Sequence, residues 1–382
     1  MMLNSSRLGN LVLGVVVAIL LSACAPDPQD DIPLFESYLK ENINKKSNDP
    51  YISSYVRPED EMYEYLSKLQ RGQGFRSILE PLIERGNIEA MVWMGRGKVN
   101  QLEVRGEVIA LLGKAMKAGD PLAALALSSG GEECWWFGKG SLTSLVANDL
   151  GVEVPSNIET CSEENWNKAQ QGIKKLADKG DLSAQYYLLK RVRIDNPEET
   201  RESRDKYIKE IVRLAEGYYY KPMMDYVDSI FERKRKGKNI QITGKTPELE
   251  RLGVDLMTIA ANHNYIPAIN FLIEYKHQSI HIDDPLFEQG MMLGSPRAVT
   301  GKIVLFTRNG AKHLSNREIY YYGRVYESIS GDNRHLITKY KEGSLSEEER
   351  QKIDAEVAKV TEQITPMVYI DRFTDRTNWV DR

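Results

Sequence analysis

Two histidines stand four residues apart, a spacing that can place both imidazoles on one face of a helix. His277 and His281 are followed by Asp283 and Asp284, and imidazole and carboxylate groups are common metal ligands. The H-E-x-x-H motif of many zinc enzymes is absent from the chain. Because histidines beside acids are also common on protein surfaces, the sequence predicts neither a metal site nor a metal cofactor.

Other reactive groups give equally weak signals. The tripeptide GKT at 244–246 matches the end of a phosphate-binding loop, but Asn239 stands where that loop needs its first glycine. The acidic runs at 132–133 and 347–349 are typical of a solvated loop and of a helix start. No G-x-S-x-G nucleophile motif occurs. The sequence therefore predicts a binding protein rather than an enzyme, without cofactors.

Aromatic clusters are stronger candidates for contact with a partner. Trp135, Trp136 and Phe137 are consecutive, and Tyr218 and Tyr219 begin a run of three tyrosines. Tyrosine and tryptophan are enriched at the centres of protein interfaces, which makes these five residues the predicted partner contacts. Adjacent aromatic side chains on a helix point in different directions, so core packing is the alternative for part of each cluster.

Composition and charge narrow the class of protein. The chain has 382 residues, of which 41% are hydrophobic and 28% charged, so it can bury a sizeable core. The formal net charge is −4, too small to favour a nucleic-acid partner. Nucleic acid is therefore not an expected partner.

The first residues have the pattern of an export signal. Arg7 is the only charged residue in the first 26, and residues 11–21 are almost wholly apolar but too few to span a membrane. The run ends in Leu-Ser-Ala-Cys, which resembles a bacterial lipobox. The resemblance implies that residues 1–23 are a signal peptide and that Cys24 receives a lipid and becomes the first mature residue. An ordinary signal peptide with a chance cysteine, or an uncleaved anchor, are the alternatives.

Export would determine where the protein lies and whether its remaining cysteines are oxidised. Residues 24–33 are polar and proline-rich, as expected of a tether, and Ala25 resembles the outer-membrane sorting pattern of Gram-negative lipoproteins. We therefore expect a lipid-anchored protein that faces the periplasm from the outer membrane. Cys134 and Cys161 remain after lipidation, and an even number in an oxidising compartment predicts one disulfide; two separate buried thiols are the alternative.

A short motif recurs along the chain: glycine, then Asp or Asn, then alanine four places after the glycine. Glycine readily adopts the left-handed conformation that ends a helix, and the next side chain can cap the following helix. In one looser copy, His263-Asn264 replaces the glycine and acid, so that turn is expected to differ in shape. The clearest copies are LIERGNIEA at 82–90, AMKAGDPLA at 115–123 and LADKGDLSA at 176–184, with looser copies at 214–223, 259–268 and 294–298.

The strings KAMKAGDPLAALAL and KLADKGDLSAQYYL resemble Sel-one-like repeats, which are relatives of the tetratricopeptide family. The resemblance implies an all-α fold, an α-solenoid of stacked helix-turn-helix repeats with a concave face and helical caps at both ends. The last twelve residues are polar and are expected to be loose. The expected divisions are an N-terminal helical cap at 34–74, repeats at 75–305 with an insert at 130–161, and a C-terminal helical cap and tail at 306–382.

Lipoproteins with such repeats resemble immunity proteins that accompany antibacterial effectors, notably type VI-secreted lipases. This resemblance implies a protein partner, a toxic effector that the concave face and the insert at 130–161 would occlude. An envelope scaffold for cell-wall or outer-membrane assembly enzymes is the alternative. A third possibility, an enzyme that acts on cell-wall components, lacks a catalytic motif to support it.

Overall fold

The computed structural model describes residues 26–73, 76–138, 141–152, 157–236, 239–308, 314–332 and 343–381. Cys24, Ala25 and the predicted signal peptide lie outside these ranges. Within them, no helix has both the length and the apolar character needed to cross a membrane.

The predicted all-α fold is confirmed: the described part of the chain contains eighteen α-helices and a single β-hairpin. The first nine helices are α1 (Ile32–Asn42), α2 (Tyr63–Gln70), α3 (Arg76–Glu84), α4 (Ile88–Gly97), α5 (Arg105–Lys117), α6 (Pro121–Ala126), α7 (Cys134–Phe137), α8 (Leu142–Asp149) and α9 (Glu163–Asp178). The others are α10 (Leu182–Asp195), α11 (Arg201–Glu216), α12 (Lys221–Ile230), α13 (Pro247–Asn262), α14 (Ile266–Tyr275), α15 (Pro285–Met292), α16 (Pro296–Arg308), α17 (Asn316–Ser330) and α18 (Glu347–Thr361).

The glycine turns separate helices as the motif predicts. Gly86 has φ +85°, and the Asn87 side chain accepts a hydrogen bond from the Ala90 backbone N–H at 2.9 Å, which caps α4. The turns at 119–120 and 180–181 have the same form, with aspartate as the cap. Each turn thus ends one helix and starts the next within two residues, which folds successive helices back on each other.

Two of the looser copies reach the left-handed conformation through residues other than glycine, whereas the copy at 294–298 uses Gly294 with φ +77°. Asn264 takes φ +63° while His263 keeps a negative φ, and Tyr218 takes φ +61° at the copy in 214–223. The Asn264 side chain donates hydrogen bonds to the carbonyl oxygens of Ser47 and Asp49 at 3.3 and 2.9 Å. Asparagine is better suited than histidine to this conformation, and Asn264 lies four residues before Ala268, just as Gly86 lies four residues before Ala90.

Apart from α1 and the insert helices α7 and α8, the helices stack in chain order, with each packed on its neighbours in the stack and α6 packed on α9 across the insert. Six helix pairs form the repeat units in the described ranges: α4–α5, α6–α9, α10–α11, α12–α13, α14–α15 and α16–α17. The insert lies inside the second unit, between α6 and α9. We call the side formed by the first helices of these units the inner face.

The fourth unit contains a feature that the sequence analysis missed. Strands β1 (Phe231–Lys236) and β2 (Asn239–Gly244) form an antiparallel hairpin in which Phe231 pairs with Gly244. Phe231 and Ile242 are buried in the main core, so the hairpin is docked on the neighbouring helices. The charged sequence FERKRK gave no clear strand signal, because its apolar contact is confined to the first residue.

The N-terminal segment differs from its prediction. Residues 34–70 were expected to be helical, but 43–62 form turns between α1 and α2. Helix α1 does not stack on the first unit; it packs on α11 and α13 in the middle of the solenoid. The fully buried Asp31, just before α1, pairs with Arg204 of α11 at 2.6 Å and accepts a hydrogen bond from the Tyr226 hydroxyl at 3.2 Å.

Candidate binding surfaces

The insert is fastened to the repeats by a buried arginine. The Arg105 guanidinium of α5 donates to the carbonyl oxygens of Trp136 and Phe137 and to the Ser144 hydroxyl, the last at 2.6 Å. The central carbon of this guanidinium, Cζ, lies 5.6 Å from the centroid of the Phe137 ring. Burial lowers the pKa of Arg105, so the hydrogen bonds to these oxygens are what stabilise its charge there.

A disulfide closes the insert at its base. The structure joins Cys134 to Cys161, whose Cα atoms are 5.3 Å apart, across a sequence separation of 27 residues. Next to it, the Cys161 backbone N–H donates to the Leu127 carbonyl at 2.8 Å. The Asn165 side chain donates to the carbonyl oxygens of Leu127 and Glu159. Both ends of the insert are therefore held at the same place on the second unit.

Three large apolar side chains of the insert are exposed to solvent. Trp135 is 77% exposed, Leu145 54% and Leu150 66%. These three belong to the insert, and its helices α7 and α8 pack on each other. The other predicted contacts in this cluster are less available, since Trp136 is half-buried and Phe137 is 2% exposed in the core. Of that cluster, the structure thus presents Trp135 to solvent. We call Trp135, Leu145 and Leu150 the insert patch.

The inner face is covered by the chain itself. Residues 365–381, which we call the strap, run from the end of the last helix across this face. The strap contacts the first helix, or the turn before it, in all six units. These contacts involve Trp93 of α4, Asp120 before α6, Tyr187 of α10, Tyr219 before α12, Asn270 of α14 and Ser295 before α16.

Gln70, at the end of α2, forms hydrogen bonds with the strap through both its side-chain amide and its backbone carbonyl. Its side-chain N–H donates to the Met367 carbonyl at 2.8 Å, and its side-chain oxygen accepts the Tyr369 N–H at 2.8 Å. Its own carbonyl accepts the Asp381 N–H at 2.7 Å. Gln70 is 2% exposed, so these bonds lie in the interior and connect both ends of the strap to the N-terminal segment.

A buried ion pair lies where the strap meets the insert. The Arg96 guanidinium pairs with Glu133 at 2.7 Å, donates to the Arg372 carbonyl at 2.6 Å, and lies over the Trp379 ring, 5.5 Å from its centroid. The Arg96 and Glu133 side chains are 10% and 5% exposed. The prediction of a solvated acidic loop at 132–133 is therefore wrong for Glu133, which faces an arginine inside the protein.

The predicted loose tail is wrong for residues 371–381. Asp371 is fully buried, and Trp379 is 5% exposed against Trp93, with ring centroids 4.9 Å apart. Asp381 is also buried and accepts hydrogen bonds from Asn270 and Ser295. Asp371, Arg372 and Asp381 each have a partner on the inner face, so their polarity does not reflect exposure to water, whereas Asp375, Thr377 and Asn378 are exposed.

The two predicted tyrosine contacts lie at the turn before α12, apart in sequence from the insert. Tyr218 is 41% exposed, and its ring lies 5.3 Å from that of His263. The Tyr219 hydroxyl donates to the Asp371 carboxylate at 2.7 Å, so this residue is occupied by the strap. Of the two tyrosines, Tyr218 is the one left open to solvent.

The weak chemical motifs of the sequence have structural explanations. His277 and His281 lie in the turn between α14 and α15, not on a helix, and His281 is near Asp283 at 3.4 Å. Thr246 caps α13 by accepting the Leu249 N–H. In the part of the chain that the structure describes, no three His, Cys, Asp or Glu side chains lie close enough to share a metal ion.

Comparisons with known proteins add little beyond the fold. No family model matches the chain, and a search of curated protein sequences finds no match. One solved structure is similar: a protective antigen present in uropathogenic Escherichia coli strains, which displays an SLR fold, at 14% identity and a TM-score of 0.36. The similarity covers 77% of this chain and 65% of that one, so the chain spans just under two thirds of its length. The repeat architecture therefore rests on the helix pairs of this chain.

Proposed function

We propose that the protein is a lipid-anchored, periplasm-facing binding protein that blocks a second protein through its insert patch. The observation that carries this proposal is the exposure of Trp135, Leu145 and Leu150 on a cross-linked insert, while the strap covers the inner face. Exposed large apolar side chains on a rigid support are typical of an interface centre. The sequence analysis assigned occlusion to the concave face together with the insert at 130–161, and the proposal keeps the insert alone.

The charge of the insert defines the partner further. Residues 130–161 contain five acidic residues, of which Glu133 is buried and paired with Arg96, and one basic residue, Lys139. An acidic surface around an apolar centre favours a partner with an apolar patch and a basic rim. It also disfavours direct contact with an anionic lipid surface. The partner is then a protein, and the resemblance of the repeats and lipobox supports a secreted antibacterial effector of the lipase type.

Substitutions on the insert patch test the binding surface. The pair Trp135→Asp and Leu150→Asp should weaken binding of the partner at least about tenfold, because each places an unpaired charge in the interface centre. Val192→Asp is the matched control, since Val192 is 59% exposed on α10, outside the insert. The measurement is the affinity of the purified mature domain for an effector encoded beside its gene. Unchanged affinity in the double variant would rule out the patch.

The role of the anchor needs a test in cells. A strain with Cys24→Ser should make a protein without lipid and should lose protection against the effector if anchoring is needed. Mass spectrometry of the mature chain reports the lipid, and survival in competition with the attacking strain reports protection. If deletion of the whole gene leaves survival unchanged, the immunity role fails. Recovery of a cell-wall or outer-membrane assembly enzyme as the partner would instead support the adaptor role.

A further inference from the structure

A cavity of about 790 Å³ lies where the N-terminal segment meets the last repeat unit. Its walls come from the residues after α2, the start of α16, the end of α17 and the end of the strap. This volume is in the range of small-molecule sites in proteins. The cavity is separate from the insert patch, so the proposed binding function does not use it.

Arg71 gives the cavity its chemical character. Its Nε donates to the Ser67 carbonyl at 2.9 Å, which fixes the base of the guanidinium at the end of α2. No carboxylate in the described ranges forms an ion pair with this group, and burial lowers the pKa of Arg71. A half-buried cation without an anionic partner is costly, and such groups are often found where a charged ligand binds.

The other charged groups that line the cavity leave its anion site open. Arg297, on the first turn of α16, pairs with Glu274 at 2.8 Å but is still 44% exposed. The Asp381 carboxylate accepts hydrogen bonds from the side chains of Asn270 and Ser295. Asp332, two residues after the end of α17, also lines the cavity. Arg71 is thus the cation whose guanidinium N–H groups remain for a ligand.

We propose that this cavity binds a small anion with a phosphate or carboxylate group, with Arg71 as its principal contact. The planar guanidinium matches the oxygens of either group and can donate two parallel hydrogen bonds to it. Arg297, which also lines the cavity and pairs with Glu274, is a second cation near the ligand. Gly72 and Gly331 line the wall beside Arg71 and leave room for the ligand.

Thermal melting of the purified mature chain in citrate or inorganic phosphate tests this site. The wild-type melting temperature should rise with anion concentration, because a ligand that binds the folded state stabilises it. Arg71→Gln should lose most of that rise, and Arg71→Lys should keep part of it. The matched control is Arg251→Gln, which removes an exposed arginine of α13. Sodium chloride at equal ionic strength corrects for general screening.

Two results would overturn the proposal: no rise in the wild type beyond the chloride series, or an equal rise in Arg71→Gln. The variant also has a readout that needs no ligand. Without added anion, Arg71→Gln should melt at the same temperature as the wild type or higher, because an unpaired buried charge has been removed. Co-sedimentation with phosphatidylglycerol vesicles separates the sources: loss of wild-type co-sedimentation in Arg71→Gln identifies a lipid headgroup, and no co-sedimentation identifies a soluble anion.

Discussion

One carboxylate oxygen of Asp120 caps helix α6, and the other forms an ion pair with Arg372 of the strap. Oδ1 accepts the backbone N–H groups of Leu122 and Ala123 at 2.9 Å each, and Oδ2 pairs with the Arg372 guanidinium. The Asp120 and Arg372 side chains are 8% and 15% exposed. A residue that the repeat needs as a cap therefore also fixes the C-terminal segment, and the two roles can be separated by substitution.

Asp120→Asn should lower the free energy of unfolding by about 3 kcal/mol, because the cap is kept but Arg372 is left as a buried cation without its partner. Asp181→Asn is the control: Asp181 caps the equivalent turn through the Ala184 N–H and takes part in no ion pair in the described ranges. That change should cost less than about 0.5 kcal/mol. Urea denaturation measures both, and equal effects would contradict a role of Asp120 in holding the strap.

Trp379→Ala should destabilise the protein by about 3–5 kcal/mol, since a buried aromatic ring leaves a large cavity. Trp135→Ala makes the same change at a site that is 77% exposed and should cost less than about 0.5 kcal/mol. Thermal or urea unfolding compares the two. A small effect at Trp379 would mean that the strap leaves the inner face readily.

Reduction of the disulfide should release the insert without unfolding the repeats. The paired substitution Cys134→Ser and Cys161→Ser should cost about 2–4 kcal/mol by the loop-closure argument and should open residues 130–161 to proteases. Limited proteolysis with and without a reducing agent measures this. Cleavage that starts in the repeats, rather than in the insert, would show that the insert is part of their core.

The strap should be held more tightly in mild acid. Burial raises the pKa of Asp381, and burial followed by the nearby Asp375 raises the pKa of Glu132. A carboxyl group whose pKa is raised by folding stabilises the folded state at pH values below its ordinary pKa of about 4. This stabilisation is lost as the pH rises through the pKa of the folded state. Hydrogen exchange of strap amides, corrected for intrinsic rate, should therefore be slower at about pH 4 than at about pH 7. Asp381→Asn should reduce the difference; protection that grows with pH would contradict it.

The features that were predictable from sequence are local ones. Gly86 and Asn87 predict the end of one helix and the start of the next, because the left-handed backbone conformation and the helix cap both depend on residues only a few positions apart. Ser346 and Glu349 form the capping box that opens α18 for the same reason. Local chemistry therefore indicated the helix pairs, and through them the solenoid.

The strap was missed because nothing near it in sequence explains it. Gln70 and Met367 are hydrogen-bonded across 297 residues, and a polar tail reads as solvated when its partners are unknown. Trp379 was the one signal available, since a tryptophan in a segment expected to be loose needs a place to pack. Glu133 was misjudged in the same way, because its partner Arg96 lies on an earlier helix.

The Ser54 hydroxyl donates to the Val368 carbonyl across 314 residues of sequence, although repeat proteins usually rely on neighbouring units alone. An ordinary array can complete each unit as soon as that unit is free to fold. Here the face formed by the earliest units gains its covering only when residues 365–381 reach it, so the folding chain passes through a partly open state. Chaperones and proteases have access to the inner face until then, and loss of residues 365–381 would leave that face uncovered in all six units.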